Sequence, residues 1–130
     1  MATSDIAAVI LAAGRSTRFS SNQPGTTKLV AELNGKPLIR HVAEAALGSA
    51  ARPVIAVTGH ARDLVQAALA DVPVTFAHNE DYASGLASSL RVGIAAVPPN
   101  APGAIILLGD MPLVTSDLID EVIRSFGEGA

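Results

Sequence analysis

No cysteine occurs in this chain of 130 residues. That absence removes disulfides, zinc–thiolate centres and thiol nucleophiles, and leaves oxygen, nitrogen or a bound metal to carry any chemistry. Tryptophan is absent too, and aromatics make up 3% of residues although 49% are hydrophobic. The core therefore has to be built from Ala, Val, Leu and Ile, a palette that suits helices packed on a buried parallel sheet. An excess of positive charge is also lacking. The formal net charge is −3, without the basic face that general binding to nucleic acid or an anionic membrane requires. Met1 to Asp5 lacks the basic start of a signal peptide, and the apolar run after it is too short to span a bilayer. The expected location is cytoplasmic.

What is present is a regular alternation. The length fits one domain, residues 1–130, with a core that needs no staples. Ile6 to Leu11 is a continuous apolar run with a β-branched centre, as in a strand covered on both faces. Ser20 to Thr27 is polar and contains Pro24-Gly25, which predicts a loop. Asn34-Gly35 is a turn signal, and Pro37 can occupy a first helical turn. From Pro37 to Leu47, Leu38, Val42, Ala45 and Ala46 recur at helical spacing, with Gly48 as a stop. Pro53 to Thr58 predicts a second strand, Ala61 to Ala70 a helix, and Val72 to Ala77 a third strand whose start Pro73 weakens. Ser84 to Val97 reads as helix and ends at Pro98-Pro99. Ala104 to Leu108 is a fourth strand, and Thr115 or Ser116 can cap a last helix running to about Phe126. Strands alternating with helices imply βαβ units, a parallel sheet and an α/β fold.

Open parallel sheets bind ligands beyond the carboxyl ends of their strands. Four segments follow predicted strands and so share that edge: the turn after Leu11, Gly59-His60, the loop Asn79 to Gly85, and Gly109-Asp110-Met111-Pro112. In the first, Ala12, Ala13 and Gly14 are small enough to let backbone N–H groups reach phosphate oxygens, with Arg15 and Arg18 close by in sequence. An ordinary turn with solvated arginines fits those residues equally well. The segment is neither a Walker loop nor the G-x-G-x-x-G fingerprint. Lys28, across the polar loop, can swing onto a triphosphate or remain a surface lysine. Asp110, behind an apolar strand and before Met111-Pro112, suits Mg²⁺, which takes one or two protein oxygens and fills its shell with water and phosphates. Asn79 and Ser88 lie in a loop and helix start that can meet a ribose, a phosphate or a second anion; equally, Asn79 can shape the turn while Ser88 and Ser89 allow close packing. His41, His60 and His78 are scattered, and no G-x-S-x-G is present, which argues against a Ser-His-Asp hydrolase.

Leu11-Ala12-Ala13-Gly14-Arg15-Ser16-x-Arg18-Phe19, Lys28-Leu29, Gly35-Lys36-Pro37-Leu38, Gly59-His60, Asn79-x-x-Tyr82-x-x-Gly85-Leu86-x-x-Ser89-Leu90 and Gly109-Asp110-Met111-Pro112 together resemble the MobA-like nucleotidyltransferases. The nearest branch by these motifs is the molybdenum cofactor cytidylyltransferases, and Ala13 stands where guanylyl-transferring relatives tend to have glycine. The resemblance implies a Rossmann-like three-layer sandwich with a mostly parallel sheet. It implies transfer of CMP from CTP, or another NTP, to a molybdopterin acceptor with release of pyrophosphate; a sugar phosphate or other phosphorylated alcohol is the alternative acceptor, and a non-catalytic nucleotide-binding module the alternative class. Leu11, Ala12, Ala13 and Gly14 would line base and ribose, Arg15, Arg18 and Lys28 would meet phosphates, and Asp110 would hold Mg²⁺. Two departures stand out. The loop Ser20 to Thr27 is long, and relatives continue past Gly-Asp-Met-Pro with more sheet and much of the acceptor pocket, whereas here the expected sheet stops after the fourth strand and its helix. An apolar sheet edge, and self-association to a homo-oligomer that covers it, are the expected consequences.

Overall fold

The computed structural model describes residues 6–12, 32–33, 35–59, 62–81, 86–109 and 114–129. The strands are β1 (Ala7–Ala12), β2 (Glu32–Leu33), β3 (Lys36–Pro37), β4 (Val54–Thr58), β5 (Thr75–His78) and β6 (Ala104–Leu108); the helices are α1 (Leu38–Gly48), α2 (Arg62–Ala68), α3 (Leu86–Ala96) and α4 (Ser116–Gly129). Four strands form a sheet in the order β5-β4-β1-β6, and every neighbouring pair is parallel. β2 and β3 make a separate antiparallel pair across a turn in which Gly35 takes φ +80, a backbone region open to glycine at no steric cost.

The order explains the layering. From β1 the chain steps outward to β4 and then β5, and next crosses back over β4 and β1 to β6. Right-handed crossovers then put α1 and α2 on one face and α3 on the other. The packing agrees. Ala8, Ile10 and Ala12 of β1 meet Val54 and Ala56 of β4 beneath Ile39, Val42, Ala43 and Ala46 of α1, Val65 of α2 and Ile119 of α4. On the opposite face Val9, Leu11, Ile55 and Val57 pack with Ala77, Val92 and Val97. All six residues of β1 are buried, as befits a central parallel strand.

Helices α1 and α4 are anchored by specific hydrogen bonds. The buried residues of α1 fall at helical spacing on one stripe, and Ser49 closes its end with both its N–H and its Oγ donating to the carbonyl of Ala46. α4 begins where Thr115 Oγ1 accepts the N–H of Leu118 at 3.1 Å. It docks on α1 through Ser116 Oγ donating to Ala45 O and Asp120 Oδ1 accepting the N–H of Ala50.

The α/β fold expected from the alternation is present. Several boundaries moved: β5 starts at Thr75 rather than Val72, so Pro73 lies before the strand, and it includes His78. β2–β3 is a strand pair that the weak patterning of its residues does not announce. β6 lies at one edge of the sheet, and Ile106 and Leu108 remain 38% and 43% exposed. They register with Val9 and Leu11, so they lie on the α3 face, where α3 covers β1, β4 and β5. Among the described residues, no helix is long and apolar enough to cross a membrane.

Candidate functional site

The strand order reverses between β1 and β6, and such a switch point is where doubly wound sheets open a crevice at their carboxyl ends. Here that point is closed into one frame by the backbone. Gly109 N–H donates to Leu11 O at 3.1 Å, extending the β1–β6 ladder by one residue past the end of β6 and seating the start of the Gly109 turn against the end of β1. On the other side of β1, Ala12 registers with Thr58, and Thr58 with His78. Asn79 N–H then donates to Thr58 O at 2.7 Å, while Gly59 O accepts the N–H of Arg62 and starts α2. All four sequence segments expected on the ligand edge thus leave the sheet at the same end.

Leu11 and Ala12 are 8% and 2% exposed, and their side chains join opposite cores. Whatever they offer a ligand comes from the main chain. Ala13, Gly14, Arg15, Arg18, Lys28 and Asp110 lie outside the described residues. Asn79 is 2% exposed. Its Nδ2 donates to Ser88 Oγ at 2.9 Å and to Ser89 Oγ at 3.0 Å, and its Oδ1 accepts the N–H of Asp81 at 2.9 Å. Ser88 Oγ in turn donates to Asp81 O. The two residues singled out in this loop are therefore brought together, with the amide committed to the loop's own shape and to the start of α3.

Two residues that the sequence reading did not select stand in the same row. Thr58 is 0% exposed, and its Oγ1 lies 3.1 Å from Nδ1 of His78. The strand expected over Val72 to Ala77 ends one residue short of His78, which β5 includes. Its signal was positional: Phe76 lies on the α1 and α2 face, and side-chain alternation carries His78 to the same face.

Among the described residues, the charged groups with shifted titration lie elsewhere. Arg40 forks onto Asp71 through Nη1 and Nη2, gives Nε to Glu44, and reaches Ala68 O. The Arg40 hydrogen bond holds the Asp71 carboxyl below its usual range, and Lys36, then Arg40, does so for Glu44. The network ties α1 to the chain just after α2. Among the described residues no group of three His, Asp or Glu is placed to hold a metal.

Residues 8–130 match the family model described as the MobA-like NTP transferase domain. The bifunctional protein GlmU of Francisella philomiragia is 36% identical over 120 residues, covering 92% of this chain and 25% of that protein. The crystal structure of Rv0371c from Mycobacterium tuberculosis superposes with a TM-score of 0.83 at 31% identity, covering 98% of this chain and 63% of that one; a manganese complex of Rv0371c matches as well. A CMP:2-keto-3-deoxy-manno-octonic acid synthetase complexed with CTP matches with a TM-score of 0.76 at 25% identity, covering 96% of this chain and 48% of the other. The chain thus spans about a quarter of the length of the curated relatives it matches and about half to two thirds of the solved ones.

Proposed function

Because the chain belongs to the MobA-like NTP transferase domain family, we propose that it carries the donor-nucleotide site of a nucleotidyltransferase, with CTP as donor and molybdopterin as acceptor. The observation that carries this reading is the junction of β1 and β6. The Gly109 to Leu11 hydrogen bond brings two segments to one point of the sheet edge: the one that continues into Ala13, Gly14, Arg15 and Arg18, and the one that continues into Asp110.

The reaction asks for positioning and charge rather than covalent help. An acceptor phosphate oxygen attacks the α-phosphorus of the donor, a new P–O bond forms, the α–β bridge breaks, and pyrophosphate leaves with the electron pair. Arg15, Arg18 and Lys28 would supply the positive charge that the leaving group needs as its own charge builds. Asp110 is the residue that would hold Mg²⁺, and a cation needing one or two protein oxygens asks for no larger cluster. Bound there, it would supply charge neutralisation at the phosphates. Asn79 and Ser88 would act by tying the chain after β5 to the start of α3.

A second reading has a specific support: a matched structure, complexed with CTP, is a synthetase named for a CMP-linked sugar acid. Acceptor screening for pyrophosphate release, with molybdopterin against phosphorylated sugars and alcohols, separates the two. The donor site itself is tested by calorimetric titration with MgCTP, MgGTP and MgATP. CTP is expected to bind most tightly, and Asp110→Asn and Lys28→Ala are each expected to weaken it while the circular dichroism spectrum is unchanged. Equal or tighter binding of GTP would overturn the choice of base, and parent-like affinity in both variants would overturn the site.

A further inference from the structure

We draw no further inference here: the strongest candidate, the exposed apolar patch of Ile106 and Leu108 on the α3 face of β6, carries nothing because nothing in the structure shows what covers it.

Discussion

At the scale of single residues, Asn79 shows how one side chain organises a loop. It reaches two hydroxyls and one backbone N–H from a buried position, so Asn79→Ala leaves several polar groups short of partners at once. The expected loss is about 2–4 kcal/mol of stability, read from urea denaturation; a change below half a kilocalorie would show that water replaces the amide. Asn79 was legible as special because it follows an apolar strand and precedes a helix. Which of its two readings holds could not be decided from the sequence, since an amide aimed at a ligand and one aimed at two serines nine and ten residues on leave the same string of letters. His78 was less legible still. Its meaning depends on Thr58, twenty residues earlier, and only the parallel register of β4 and β5 brings the two together.

At the scale of elements, the apolar runs were easy to recognise because parallel strands buried on both faces need no alternation, and β6 occupies the residues expected of it. Boundaries failed where proline and tertiary context compete, as before β5. The pair β2–β3 is too short to have a period. Helix α3 adds a close-packing rule: a Cβ on Gly93 would collide with Val9 Cγ1 and stand 3.0 Å from Val57 Cγ2. Gly93→Ala is therefore expected to lift α3 off the sheet and cost about 1–3 kcal/mol, despite alanine's better helix propensity, measured as a lower denaturation midpoint. The Arg40 fork between α1 and Asp71 gives a pH prediction. The folded protein holds the Asp71 carboxyl below its usual pKa, so the contribution is complete above the ordinary carboxylate range and fades as pH falls through the depressed value. Asp71 is largely exposed, so the effect is small and salt-sensitive. Asp71→Asn should lower the melting temperature slightly at pH 7 and flatten its decline between about pH 5 and 3; an unchanged acid slope would remove the fork from the account.

At the scale of the whole molecule, the two sides of the sheet are unequal. β5 is backed on both faces, whereas β6 leaves Ile106 and Leu108 in solvent, and the solved relatives carry more polypeptide than this chain covers. The 130-residue chain studied alone is expected to self-associate through this edge, with Ile106→Lys shifting it toward monomer in sedimentation velocity; a parent that stays monomeric at high concentration would show the exposed residues to be tolerated singly. The sheet order has one more consequence, and it concerns time. β1 is made first, yet its neighbours β4 and β6 come from the middle and the far part of the chain. Pairings between residues so distant in sequence close late and slowly. During synthesis, β1 therefore waits as an unpaired apolar segment until β4 emerges, and the Leu11–Gly109 contact that frames the proposed nucleotide site forms only once β6 has emerged.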